Sequence, residues 1–134
     1  MSTLAQKEGK KERIKALKVA FITEQLSLSE KESQEFWPIY NTFEEETNKI
    51  RFEEIRAIRK GIRDNMETLS NDEAKAIINR LDSAENRMHE LRMGLSKKLL
   101  NIIPAKKIIQ LKMAEDDFRR KMLEEYQRLR RGRP

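Results

Sequence analysis

The chain has 134 residues, 39% of them charged, with 29 basic and 23 acidic residues for a formal net charge of +6. This length fits one domain, and high charge with only four Gly and three Pro is typical of an all-α protein with long, solvent-exposed helices. The absence of Cys excludes disulfides and thiolate chemistry, and no apolar run reaches the roughly 18 residues of a membrane span.

The N-terminal residues 1–10 have no apolar periodicity and are predicted to be a disordered leader. The segment up to Ala5 is similar to the small-residue end of a secretory signal, with cleavage after Ala5, although the basic and apolar regions that precede such a site are absent. A polar leader unrelated to secretion fits equally well. A first helix is predicted over residues 11–25, with Ile14, Leu17 and Phe21 on its apolar face.

The second helix is predicted to begin at Ser29, because Ser29 and Glu32 form the pattern of a capping box after Leu28. Its apolar positions extend to Met66 and begin with a structural aromatic cluster of Phe36, Trp37, Tyr40 and Phe43. Pro38 lies beyond the first turn, so we expect either a kink there or a separate short helix over residues 29–37.

The third helix is predicted over residues 70–102, because Leu69, Ser70 and Glu73 repeat the start pattern of the second. The fourth is predicted to begin with Pro104 in its first turn, and residues 132–134 are predicted to be a frayed tail. Residues 11–131 thus form one predicted helical domain of four helices, two or three of them long. Because such helices leave apolar faces uncovered, we expect an elongated, hairpin-like layout completed by homodimerisation.

Catalysis has little support in the sequence, and we predict neither an enzyme nor a cofactor. His89 is the one histidine, no Gly-rich phosphate loop occurs, and Glu85 with His89 lacks the further carboxylates of a helical metal site. The arginines at positions 128, 130, 131 and 133 suit a helix C-terminus, whereas the interspersed charges elsewhere argue against nucleic acid as a partner. Amphipathic faces with basic flanks favour binding to other proteins.

Several segments together resemble the Spy/CpxP family of LTxxQ-motif periplasmic proteins. The repeated Leu-Ser-x-x-Glu helix starts are similar to that motif, with Ser in place of Thr and Glu in place of Gln. Residues 16–23, 36–41, 103–107 and 118–119 resemble a Bacteroidetes branch labelled as sensors of ECF-type sigma factors. The Ser and Glu preserve the capping box, but they remove any recognition role of the Gln itself.

The resemblance implies a four-helix, cradle-like dimer in the periplasm that binds unfolded clients without ATP or senses envelope stress. The alternative is a regulatory subunit that binds one signalling partner of an ECF sigma pathway, and a nucleic-acid-binding helical protein is a further one. By analogy with the concave face of the family, the resemblance implies a protein-binding face on the second and third helices, formed by Ile55, Ile58, Arg59, Ile62, Met88, Arg92 and Leu95.

Overall fold

The computed structural model describes residues 3–132, without the side chains of residues 3–5 and 7, and contains helices and turns but no strand in that range. The helices are α1 (Thr3–Leu26), α2 (Glu30–Asn48), α3 (Arg56–Asn65), α4 (Asn71–Leu99) and α5 (Ala105–Arg131). A π-helical segment, Lys49–Ile55, joins α2 to α3 without a break, and a 3₁₀ turn, Met66–Thr68, follows α3. Because α2, the π-helical segment and α3 form one continuous helix, the prediction of an all-α protein with four helices is confirmed.

The helices are distributed over two compact units. The first unit combines the chain up to Ser33 with the chain from Ile103 onwards, and the second unit is Gln34–Ile102. None of the helices in the part of the chain described is long and apolar enough to cross a membrane. The single domain predicted for residues 11–131 and the homodimer stay predictions.

The first unit consists mainly of α1 and α5, which run in opposite directions. The ring of Phe21 lies 5.8 Å from that of Phe118, whereas Lys107, earlier in α5, donates to the carbonyl of Ser27 after α1. The buried apolar side chains of these two helices are Ile22, Leu26, Ile108, Leu111, Ala114 and Phe118.

Helix α1 begins at Thr3, eight residues before the predicted start. Residues 3–10 contain Ala, Leu, Gln, Glu and Lys, which favour helices, and no proline interrupts them, so the helix extends through this polar segment although it lacks an apolar face. The disorder predicted for residues 1–10 therefore does not describe residues 3–10. Met1 and Ser2 of the predicted leader, and Arg133 and Pro134 of the predicted tail, lie outside the described residues.

The second unit pairs the α2–π–α3 helix with α4. Ile50, Ile55, Ala84 and Met88 form a buried cluster, against which Leu81 and Leu91 pack. Beside this cluster, the guanidinium of Arg87 donates two hydrogen bonds to the carboxylate of Glu54, at 2.7 and 2.9 Å.

Helix α2 continues through Pro38, so the alternative of a separate short helix over residues 29–37 is wrong. Proline has no N–H to donate to the carbonyl of Gln34, four residues earlier, and that helical hydrogen bond is lost. The hydroxyl of Thr42 donates to the carbonyl of Pro38 at 3.0 Å.

The π-helical segment places Ile50 and Ile55 together in the buried cluster although they are five residues apart. In a regular α-helix, two such residues point about 140° away from each other. The wider π turn reduces that angle and so keeps both isoleucines on the side that faces α4.

Helix α4 ends at Leu99, three residues before the predicted end, and residues 100–103 form a turn. Pro104 is the residue that precedes α5 rather than a member of its first turn. Its fixed φ and lack of an N–H suit either position, so the sequence pattern alone did not distinguish them.

Candidate protein-binding site

Both predicted capping boxes are present. The N–H of Glu32 donates to the hydroxyl of Ser29 at 3.1 Å, and the N–H of Ser29 donates to the Glu32 carboxylate at 2.9 Å. Ser70 and Glu73 make the same two bonds at 3.1 and 3.2 Å. The leucines that precede each box, Leu28 and Leu69, are half-buried. The motif residues therefore fix the starts of two helices.

The first box has an additional long-range partner. Lys107 donates to Oε1 of Glu32 at 2.7 Å and to the carbonyl of Ser27 at 3.0 Å. Ser27 has φ 48°, a left-handed conformation that is uncommon for serine. The hydrogen bond from Lys107, followed by that from the Ser29 N–H, holds the pKa of Glu32 below its usual value. Lys107 thus connects α5 to the turn between α1 and α2.

The second box is local by comparison. The pKa of Glu73 is lowered by the hydroxyl of Ser70 and then by its backbone N–H, both three residues away. The two occurrences of one sequence motif therefore differ in structural role, because only the first is tied to a distant helix.

The four residues of the predicted aromatic cluster contact one another along α2. Phe36 stacks on Tyr40 with ring centroids 5.3 Å apart, and Trp37 lies edge-on to both rings at 4.8 and 5.8 Å. Phe43 continues the series at 5.9 Å from Tyr40. Phe36 and Tyr40 are buried, whereas Trp37 and Phe43 are half-buried. The first two therefore serve packing, and the last two remain partly accessible.

The predicted protein-binding face is mostly covered. Of its seven residues, Ile55, Ile58, Met88 and Leu95 are buried. Ile62 is half-buried, and the two arginines, Arg59 and Arg92, are exposed. The helical spacing correctly places the apolar residues on one side, but that side packs within the second unit. Outside the recess described next, which Leu95 also lines, a partner in this conformation reaches only the arginines and part of Ile62.

An open recess, which shares only Leu95 with the predicted face, lies in the second unit between α2 and α4. It has a volume of about 100 Å³ and is lined by Ile39, Thr42, Phe43, Glu46, Glu90, Leu91, Gly94, Leu95 and Lys98. Its apolar lining comes from Ile39, Phe43, Leu91 and Leu95, and charged side chains surround it. A Cβ atom added at Gly94 meets no atom within 4 Å, so the missing side chain contributes to the open space.

The charged residues around the recess are of both signs. Glu46 and Glu90 are exposed and have no ion-pair partner within the described part of the chain, and Lys98 is exposed on the same helix as Glu90. An apolar lining within a polar, charged border is also the usual anatomy of a protein–protein interface.

The remaining described residues considered from the sequence lie at exposed positions. Glu85 and His89 are both exposed, and no group of three His, Cys, Asp or Glu side chains among the described residues could hold a metal ion. Arg128, Arg130 and Arg131 occupy the last turn of α5, as expected from the helix dipole. Arg133 lies outside the described residues.

Sequence reasoning missed the recess and the contacts of Lys107. A glycine within an amphipathic helix is a signal for open space or close packing, and Gly94 between Leu91 and Leu95 provides that signal. Nothing local identifies Lys107, because its partners lie 75 and 80 positions away in the sequence.

No protein-family model matches this chain, and neither does any curated protein or solved structure. The resemblance to the Spy/CpxP family therefore rests on the sequence segments given above.

Proposed function

We propose that the protein binds apolar side chains of other proteins in the recess between α2 and α4, as an ATP-independent chaperone-like or stress-sensing protein of the periplasm. The observation that carries this proposal is the open, apolar-lined space over Gly94. Small-molecule pockets usually enclose roughly 300–1,000 Å³, so a recess of about 100 Å³ is too small for a typical metabolite or cofactor. It suits one branched or aromatic side chain of a polypeptide.

Contacts of this size are individually weak. Burying one leucine-sized side chain contributes roughly 1.5–3 kcal/mol, which by itself gives millimolar or weaker affinity. Weak binding of single apolar side chains favours many unfolded clients over one tightly bound ligand, and it requires no nucleotide. The family resemblance supports the same function, because it implies a protein that binds unfolded clients without ATP.

A homodimer is part of the proposal. Large apolar side chains remain exposed on the second unit, among them Phe52, Ile78 and Leu100. A second copy would reduce this exposure. Equilibrium sedimentation at micromolar concentration is the test, and a monomer at all concentrations would contradict this part.

Photocrosslinking at the recess tests where clients bind. Thr42 is exposed and lines the recess, whereas Thr68 is an exposed threonine of the same unit that does not. A photoreactive amino acid at position 42 should capture a reduced, unfolding client protein, and the same residue at position 68 should not. Equal capture at both positions would place the client elsewhere.

Aggregation of the same client, measured by light scattering without ATP, tests the chaperone function itself. Protection at a several-fold molar excess of the protein is the expected result, and no protection would eliminate that function. The alternative, a regulator of an ECF sigma pathway, predicts a single stoichiometric partner in pull-downs from envelope extract, and weak binding of many clients contradicts it.

A further inference from the structure

The apolar side of α5 continues beyond the core of the first unit. Phe118 is the last buried residue of this helix, yet Leu123, Tyr126 and Leu129 follow on the next turns with 55%, 54% and 64% of their surface exposed. At about 100° per residue these three side chains span an arc of roughly 120°, and Leu129 points in nearly the same direction as Phe118. The end of α5 is therefore amphipathic, and the described residues of the first unit leave more than half of each of these three side chains exposed.

Helix α1 adds exposed apolar side chains at the same end. Leu17 and Ile14 lie one and two turns before Phe21, with 54% and 39% of their surface exposed. Because α1 and α5 run in opposite directions and their rings meet at Phe21 and Phe118, residues 14–17 lie level with the segment that follows Phe118. We call these five residues, Ile14, Leu17, Leu123, Tyr126 and Leu129, the terminal apolar surface.

The terminal apolar surface is surrounded by cations. Residues 10–18 contain five basic side chains and one acidic one, and residues 119–131 contain six basic and two acidic. The second unit, in contrast, has 12 basic and 13 acidic residues, so the net positive charge of the chain belongs to the first unit. The ion pairs of Arg119, Arg120 and Arg128 are all with residues three positions earlier and are highly exposed. With their partners Asp116 and Asp117 counted, residues 116–131 contain six basic and four acidic side chains, so a smaller positive excess remains on α5 and most of the excess comes from residues 10–18.

The positive charge restricts the kind of partner that can cover the terminal apolar surface. A second copy that presented the same surface would bring two strongly positive segments together, which is unfavourable. Nucleic acid would use the cations but would gain nothing from exposed leucines. A protein partner would need an acidic, concave groove matched to a convex helix. An anionic lipid surface needs no such match, because its charges are mobile and its headgroup layer yields to protruding side chains.

We propose that this end of the first unit docks on anionic lipid surfaces. The leucines and Ile14 enter the boundary between headgroups and acyl chains, and Tyr126 lies at that boundary with its hydroxyl towards water. Arg119 and Arg130, which lie on the same side of α5 as Tyr126, bind lipid phosphates. Arg130, whose guanidinium lies 5.8 Å from the Tyr126 ring, is placed to bridge ring and phosphate. This attachment is peripheral, and it does not depend on the proposed client binding.

Vesicle co-sedimentation tests the proposal. The full chain should bind vesicles of phosphatidylcholine with phosphatidylglycerol, release them at high salt, and leave pure phosphatidylcholine vesicles unbound. Replacing Arg119 and Arg130, which lie on the same side of α5 as Tyr126, by Gln should weaken binding about five-fold per arginine removed. Arg56→Gln with Arg63→Gln, on exposed positions of the second unit, is the matched control and should leave binding unchanged.

A second pair of variants tests the apolar contribution. Leu123→Ser with Leu129→Ser should weaken binding to the anionic vesicles at least ten-fold. Ile78→Ser, on an equally exposed position of the second unit, should have no effect. All these positions are exposed, and unchanged circular dichroism would verify folding. The proposal would be overturned by absent binding to the anionic vesicles or by equal binding to neutral ones. It would also be overturned if only the arginine variants lost vesicle binding and the protein bound poly-glutamate equally well, because that result would indicate an acidic polypeptide partner.

Discussion

Substitutions at Gly94 should separate the stability of the protein from client binding in the recess. Gly94 lies within α4, where glycine is less favourable than alanine by about 0.8–1.0 kcal/mol. A Cβ atom at this position meets nothing within 4 Å, so no clash offsets that gain. We therefore expect Gly94→Ala to increase the free energy of unfolding by about 1 kcal/mol, which raises Tm by roughly 4 °C for a chain of this size.

Gly94→Leu extends the same change into the recess. Leucine has nearly the helix propensity of alanine, so this variant should be at least as stable as the wild type. Its side chain occupies the space next to Leu91 and Leu95, and we expect it to abolish photocrosslinking from position 42 and protection of the client. Most substitutions that destroy a binding site also destabilise the fold, so a gain in stability separates the two effects.

Gly61 is the matched control. It lies within α3 of the same unit, is half-buried like Gly94, and has no atom within 4 Å of an added Cβ, but it does not line the recess. Gly61→Ala should stabilise the protein by a similar amount and preserve client protection. A lower Tm for Gly94→Ala would show that the recess is not open, and full protection by Gly94→Leu would show that clients bind elsewhere.

Three further predictions concern the stability of the fold. The lowered pKa of Glu32 contributes stability above the ordinary pKa of 4.5, and this contribution is lost as the pH falls through the pKa of the folded state. Lys107→Met should therefore reduce stability at neutral pH and make the decline of stability in acid shallower, as measured by urea unfolding across that pH range. An unchanged acid profile would contradict the role of the ion pair. Pro38→Ala should restore a helical hydrogen bond in α2 and raise the free energy of unfolding by about 1–3 kcal/mol, and a decrease would show that the surrounding packing requires the proline. Leu99→Ala should lower the free energy of unfolding by about 2–5 kcal/mol, because this side chain is fully buried. Leu100→Ala, at an exposed neighbouring position, should change it by less than about 0.5 kcal/mol. Similar Tm values for the two variants would refute the burial assignment.

Local signals in the sequence were sufficient to predict the starts of α2 and α4. The Ser29 and Ser70 boxes depend on residues three positions apart, and both are present as predicted. The start of α1 was missed because residues 3–10 form a helix without an apolar face, which the search for periodicity cannot detect. The propensities of those residues were the available signal.

The candidate site was harder to predict than the helices. Periodicity identified the side of α3 and α4 that carries Ile58 and Met88, but it does not show whether another helix covers that side. Coverage depends on packing between segments far apart in the chain. The recess likewise results from the absence of a side chain at Gly94 where two helices meet, and the absence of atoms has no periodic pattern.

The π-helical segment has a consequence for how the length of this chain can vary. Between Ile50 and Ile55 the protein has one residue more than an α-helix needs to return to the same side. Deletion of the exposed Phe52 would leave the two isoleucines four apart, about 40° from each other in a regular α-helix, and every residue of α3 would keep its face. The same deletion in α4 would rotate all residues beyond it by about 100°. Homologous chains shorter by one residue are therefore expected to differ at this position, with an uninterrupted α-helix in place of the π turn.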